Sequence, residues 1–235
     1  MIKQSIGAAL ATLACSAYAS DLSNVNNVTQ DQFHGIVEDL GAAFSYKGVT
    51  PATELGPFGF DVGVELTDTK TRNSGAFHAA GAGDPGDIFM PKIHAYKGLG
   101  LGFDLGAFVG SASTVHATVV GLDLRYALVD DSLTMPAIAV RLSGTRAQDM
   151  GDLSLNTTGL DLMVSKKLVA FTPYAGIGTV RVTSNIDNSS LSKEKFDKGR
   201  GFVGLNMNLV GANFAVEAEQ TGSNASLSAK VGLRF

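Results

Sequence analysis

Ser226-Leu227-Ser228-Ala229-Lys230-Val231-Gly232-Leu233-Arg234-Phe235 closes the chain, and its reading decides the fold. Leu227, Ala229, Val231, Leu233 and Phe235 alternate with Ser226, Ser228, Lys230, Gly232 and Arg234, a period of two that gives a strand one oily and one wet face. The same alternation recurs upstream. Phe58, Phe60, Val62, Val64 and Leu66 interleave with Gly59, Asp61, Gly63, Glu65 and Thr67, and Leu101, Phe103, Leu105, Ala107 and Val109 interleave with Gly100, Gly102, Asp104, Gly106 and Phe108. Each run is about ten residues, the length a tilted strand needs to cross a bilayer. Weaker runs cover 120–128, 136–142, 160–164, 174–182, 203–209 and 214–218, and with 89–97 they make ten strands from residue 58 onward.

The connections alternate in kind. Segments 97–99, 129–132, 166–168 and 210–211 read as tight turns, whereas 68–88, 145–152 and 184–199 read as long polar loops; 110–114 and 221–225 share the long-loop rim but are short. Together with the terminal Phe, this pattern resembles the Gram-negative outer-membrane β-barrels. The resemblance covers almost the whole mature chain and is one of pattern, with no subfamily motif. It implies an antiparallel transmembrane β-barrel surrounded by outer-membrane lipid and inserted by the outer-membrane assembly machinery. Phe235, Leu233 and Val231 would then stand as the assembly signal, and both termini would lie on the periplasmic side. No catalytic residue is carried over, because no position matches such a motif.

The other end of the chain agrees with export. Lys3, the apolar stretch Ile6 to Ala14 and Ala17-Tyr18-Ala19 read as a secretory signal peptide over residues 1–19. A lipid anchor on Cys15 is the competing reading, weakened by Thr12 where such a signal usually has Leu. Cleavage after Ala19 removes the single cysteine and with it disulfide and thiol chemistry. It also removes Lys3, leaving 17 basic against 22 acidic residues, a net of about −5. No basic block marks a nucleic-acid footprint, so nucleic acid is not an expected partner. No stretch after residue 20 has the roughly eighteen consecutive apolar residues of a spanning helix, so any membrane crossing must use closed β-structure.

Between signal and barrel, residues 20–57 change period. Thr29 can cap a helix in which Phe33, Ile36, Val37, Leu40 and Phe44 recur at three- and four-residue spacing. Phe33, Ile36, Val37 and Leu40 would form the apolar stripe of a plug or lid, packed at the periplasmic mouth, against a lumenal wall or on the lipid surface, with a moving gate as the rival reading. A whole helix inside a ten-strand barrel would be tight. Ala42 to Val49 is a possible partial strand that would raise the count toward twelve. The barrel proper occupies 58–235.

If the apolar series faces lipid, the opposite register sends Asp61, Glu65, Lys92, His94, Asp104, Asp123, Arg125, Arg141, Asp161, Arg181, Glu217, Glu219, Lys230 and Arg234 into the lumen. The mixture is nearly neutral, unlike the one-signed ring of a selective ion pore. It suits a salt-bridged polar core, a narrow water-filled channel, or a ligand-specific constellation. Gly59, Gly63, Gly100, Gly102, Gly106, Gly121, Gly204 and Gly232 share this register and either make room for long side chains or mark bends.

Enzyme chemistry would need His78, or His116 beside Ser111 and Ser113, or Asp84 and Asp87, at the loop rim, and none sits in a specific motif. A calcium site over 81–87 lacks the ligand spacing of an EF-hand. No enzyme activity, cofactor or metal is expected. Tyr96, Tyr126, Phe171, Tyr174, Phe202 and Phe214 are candidate interface aromatics in a chain without Trp. The expectation is a barrel of about ten strands, or twelve in the alternative count, forming a narrow channel or passive transporter for a small polar solute. The alternative is a closed-lumen structural or adhesion-type surface protein acting through its loops.

Overall fold

The computed structural model describes residues 22, 24–83, 85–187, 190–209 and 211–235. The signal-peptide reading of 1–19 and the Asp84 candidate lie outside the described residues. Ten antiparallel strands close into a barrel: β1 (Phe60–Lys70), β2 (Asp87–Gly100), β3 (Phe103–Ala112), β4 (Ala117–Val129), β5 (Ala137–Met150), β6 (Leu153–Ser165), β7 (Phe171–Ile186), β8 (Lys195–Leu209), β9 (Ala212–Thr221) and β10 (Asn224–Arg234). Each strand pairs with its sequence neighbours, and β10 returns to β1 in the register Asp61↔Arg234, Val64↔Val231 and Thr69↔Ser226. Reciprocal backbone hydrogen bonds of 3.0 and 2.9 Å between Phe60 and Phe235 finish the seam. No edge is left open, which is what a sheet needs in hydrocarbon.

The outward register is apolar. Val62, Val64, Ile93, Leu105, Leu122, Leu160, Ile177, Val216, Leu227 and Val231 are all exposed on the wall, a continuous surface that water would not tolerate and lipid tails solvate. At the end carrying Phe235, outward aromatics stack in pairs, Phe60 with Phe235 at 4.9 Å and Phe103 with Tyr126 at 4.5 Å. Of the aromatics expected at the interfaces, Tyr126, Phe171 and Phe214 face out, but Tyr96, Tyr174 and Phe202 are buried in the lumen. Their strands carry glycines there. A Cβ on Gly204 would lie 2.2 Å from the Tyr174 ring, and one on Gly121 would lie 2.2 Å from Phe108, so these glycines hold space for inward rings. Gly100 and Gly102 instead have positive φ and shape the β2–β3 turn.

Of the connections expected to be long loops, 145–152 is mostly strand and 184–199 is half strand. β5 and β6 continue to Met150 and from Leu153, leaving a two-residue turn, and β7 and β8 take up much of 184–199. The first loop is long and holds a short helix, α2 (Ser74–Ala79). The end bearing that loop is the extracellular one, since outer-membrane barrels put longer connections outside.

Among the described residues none before β1 joins the sheet, and the ten strands close on themselves, which excludes the twelve-strand alternative. Thr29 caps α1 (Gln30–Phe44) in a capping box with Gln32. The helix lies inside the barrel at its extracellular half, and 45–57 runs on through the lumen to β1 at the other end. Of the three placements expected for the helix, packing against the lumenal wall is the one found, and the periplasmic mouth and the lipid surface are not. One expectation is corrected: the described N-terminal residues lie at the rim opposite Phe235. Asn26 accordingly donates to Asp152 in the β5–β6 turn at 3.1 Å. The fit is possible because inward residues around the helix are small, among them Ala112, Ala117, Ala147, Thr145, Thr157, Ser226 and Ser228. Gly41 completes it: a Cβ there would sit 2.6 Å from Val182 Cγ2.

Candidate functional site: the plugged lumen

The lumen is filled in two ways. In its extracellular half, Phe33, Ile36, Val37 and Leu40 are fully buried in a cluster with Phe77, Ile88, Met90, Val115, Met150, Leu155 and Val182. Asp39 is the polar exception on this helix. Its carboxylate accepts from the backbone N–H of Arg72 (3.0 Å) and Asn73 (2.8 Å) and from the side chain of Asn224 (2.6 Å), tying the helix to the first loop and the β9–β10 turn. On the helix's half-exposed side, His34 lies 2.8 Å from Glu194 and Lys198 pairs with Glu38.

In the periplasmic half the filler is an extended segment with no strand partner, so its carbonyls need other donors. The wall supplies cations. Arg200 Nη1 donates to Tyr46 O at 2.7 Å, Arg125 donates to Pro51 O and, at 3.4 Å, to Thr53 O, and Arg234 Nη2 donates to Thr53 O at 3.3 Å. Asp104 accepts from Leu55 N–H at 3.1 Å. Lys47, itself buried, bonds back to Ala42 O and lies 3.4 Å from Glu219.

Each of these cations is held in turn by a wall carboxylate. Asp61 gathers Lys230 at 2.8 Å, Arg234 at 3.0 Å and His94 at 3.2 Å; Glu65 pairs with Lys92 at 2.5 Å; Asp104 pairs with Arg125 at 2.6 Å. Asp161 holds Arg141 Nε at 2.9 Å and Arg200 Nε at 2.9 Å. These buried pairs stand only because partner and geometry are both present. At mid-depth Asp123, near the Tyr46–Tyr96 hydroxyl pair (2.9 Å apart), and Glu217, near Tyr174, have no protein hydrogen-bond partner, and neither do the two terminal nitrogens of Arg141. Gly48 makes room there, since a Cβ would fall 2.4 Å from Arg141 Nη1.

All the charges expected in the lumen are there except Arg181. It points outward, paired with Asp197 at 2.8 Å, because Val180 and Val182 turn inward to meet the plug helix. On this stretch of β7 the helix beside the wall inverts the alternation, putting valines inside and the charged residue outside. Arg200 and Lys47 were missed. Arg200 is in phase with inward Phe202 and Gly204, so extending that strand three residues would have found it, whereas nothing local marks Lys47. At the periplasmic mouth a cavity of about 170 Å³ lies among Thr53, Glu54, Lys167, Asn206, Asn208 and Arg234.

At the extracellular rim His78 and His116 are exposed, Ser111 and Ser113 are exposed, and Asp87 is bound to Lys70 at 2.7 Å. Among the described residues no side-chain hydrogen bond joins either imidazole to a serine hydroxyl or a carboxylate; His116 meets Ser113 only through a backbone N–H to carbonyl bond of 3.4 Å.

No family model and no curated protein matches the sequence. Among solved structures the chain is similar to the N-terminal β-barrel domain of Pseudomonas aeruginosa OprF, at 16% identity over 74% of this chain and 97% of that one with a TM-score of 0.37. It is also similar to the KdgM porin (13% identity, 75% and 99% covered, TM-score 0.37). A third is the translocator domain of the autotransporter NalP from Neisseria meningitidis (13%, 94% and 100%, TM-score 0.41). With its strand circuit closed, its outward register apolar and its charges turned into the lumen, this chain is a ten-strand antiparallel transmembrane β-barrel, the architecture of the Gram-negative outer-membrane barrels that it resembles.

Proposed function

We propose that this barrel works with its lumen closed, as a non-catalytic surface protein acting through its extracellular end, where the loop over 71–86 and the β7–β8 connection stand out. One observation carries the reading: the wall cations that would have lined a solute path are spent on the backbone carbonyls of residues 46–53. The proposal includes removal of residues 1–19 on export and recognition of Phe235, Leu233 and Val231, exposed at the end of the closing strand, by the assembly machinery.

A second reading, a conditional channel for a small polar solute, draws support from Asp123, Glu217 and Arg141, whose polar atoms the plug leaves unpartnered and an opened lumen would solvate. The deciding experiment is single-channel recording of the refolded mature protein in planar bilayers, with folding confirmed by heat-modifiable gel mobility. Silence across the voltage range supports the closed-lumen reading. Stable conductance steps whose ion selectivity changes in Glu217→Gln transfer the assignment to the channel.

A further inference from the structure

At the extracellular end, the β7–β8 connection is tied to the plug helix by a compact set of contacts between α1 and residues 190–194. Gln30 holds both backbone groups of Ser192: its amide oxygen accepts from Ser192 N–H at 2.9 Å, and its amide nitrogen donates to Ser192 O at 3.1 Å. Leu191 packs on the apolar cluster around the helix. Glu194 is anchored to β7 by its backbone, whose N–H donates to Ser184 Oγ and whose carbonyl accepts from Ser184 N–H, both at 2.9 Å. Its side chain turns the other way, toward the helix, where Gln30 and His34 meet its two oxygens.

His34 therefore stands between two carboxylates. Its Nδ1 lies 2.8 Å from Glu194 Oε2, and its Nε2 lies 3.3 Å from Oε1 of Glu38, one turn further along α1. The ring also packs on Phe196 of β8, 5.0 Å between centroids, which limits its rotation. A neutral imidazole has one N–H and one lone pair, so it serves one of these oxygens and aims its lone pair at the other; the imidazolium donates to both. The other charged groups nearby are Lys198 of β8, which pairs with Glu38 and lies 5.2 Å from the Phe196 ring, and Lys193 and Lys195 on either side of Glu194. Glu38 thus keeps a cation whatever the state of His34. Glu194 does not: its side chain is only 17% exposed, and among the described residues His34 is its one ion-pair partner.

We infer that His34 is a pH-sensitive latch on the extracellular face: protonated, it bridges α1 to the β7–β8 connection, and neutral, it leaves Glu194 without a counter-charge so that residues 190–194 loosen. With that end taken as the acting surface proposed above, the latch gives it a regulation, held closed in mildly acidic surroundings and freer in alkaline ones. The direction follows from the contacts, because both carboxylates use the ring's positive charge, which is present at the acidic side of a histidine titration and lost at the alkaline side. The helix itself stays in place. Phe33, Ile36, Val37 and Leu40 are packed in the lumen, and Asp39 is bonded to Arg72, Asn73 and Asn224, all independently of His34.

The test is amide hydrogen exchange read by mass spectrometry on the full mature protein in lipid nanodiscs, at about pH 5.5 and about pH 8.5, the span in which histidines change charge. Wild type is compared with His34→Arg, charged at both values, and His34→Gln, neutral at both; comparing proteins at one pH removes the pH dependence of exchange itself. At the lower pH, residues 190–194 of the wild type should exchange like those of His34→Arg. At the higher pH they should match His34→Gln and exchange about threefold faster than His34→Arg, the scale of a partly exposed ion pair. Residues 33–40 should exchange alike in all three. Wild type following the same variant at both pH values, equal exchange at 190–194 in all three proteins, or an equal acceleration at 33–40 would overturn the latch. Exchange at 190–194 is read apart from conductance, so failure of the latch and failure of the closed-lumen reading are separate results.

Discussion

The two halves of the lumen solve one problem with opposite chemistry. At the extracellular half a regular helix satisfies its own backbone, so the wall need only offer small and apolar side chains, and Phe33, Ile36, Val37 and Leu40 do the filling. At the periplasmic half the chain is extended and unpaired, so the wall must offer hydrogen-bond donors, and Arg125, Arg200 and Arg234 provide them. The side chains lining a barrel answer to the conformation of what sits inside it. A charged lumen is thus no signature of permeation when a peptide occupies it.

The sharpest way to break this comparison is to test its direction. In a chain carrying Cys15→Ser, Asn27→Cys should react with a membrane-impermeant maleimide on intact cells, while Thr134→Cys, exposed in the β4–β5 turn, should react only after the outer membrane is permeabilised. The reverse pattern would put the helix at the periplasmic end.

Stability should then separate the halves. Arg125→Ala leaves Asp104 buried without its partner and strips donors from Pro51 and Thr53, a loss of about 3 to 5 kcal/mol by urea titration in lipid vesicles. The pair replacement Arg125→Leu with Asp104→Leu should recover part of it, and no recovery would mean that the carbonyl contacts dominate. Phe33→Ala should cost about 3 kcal/mol by opening a cavity in the helix-packed half. Yet it should leave planar bilayers silent, because residues 46–55 still fill the other half. Conductance in this variant would show that the helix alone closes the lumen.

The smallest effect concerns fit. Gly41→Ala should cost about 1 to 3 kcal/mol through its clash with Val182, and Val182→Ala in the same chain should restore most of that. Additive losses would show that Gly41 is not the residue that lets the helix into the barrel.

Much of the barrel was legible because lipid and lumen demand opposite polarity, and strand geometry writes that demand as strict alternation. Lys92, Asp123, Glu217 and Lys230 fell on the right face for this reason. Arg181 did not, because Val180 and Val182 pack on an internal helix and imitate a lipid-facing pair. The plug's place was not legible either: the stripe of Phe33, Ile36, Val37 and Leu40 states that one face is buried, and a wall of alanines or a periplasmic mouth would satisfy it equally.

By itself, then, the chain's alternation determined the strand character of 58–235, most of the outward face and the membrane, since these follow from side-chain polarity at a period of two, while the choice between ten and twelve strands waited on the pairing. Only the tertiary structure decided that the lumen is filled, that the N-terminal segment enters it from the extracellular end, and that the inward arginines serve peptide carbonyls. Those outcomes depend on which residues far apart in sequence meet across the barrel, and no local period records that.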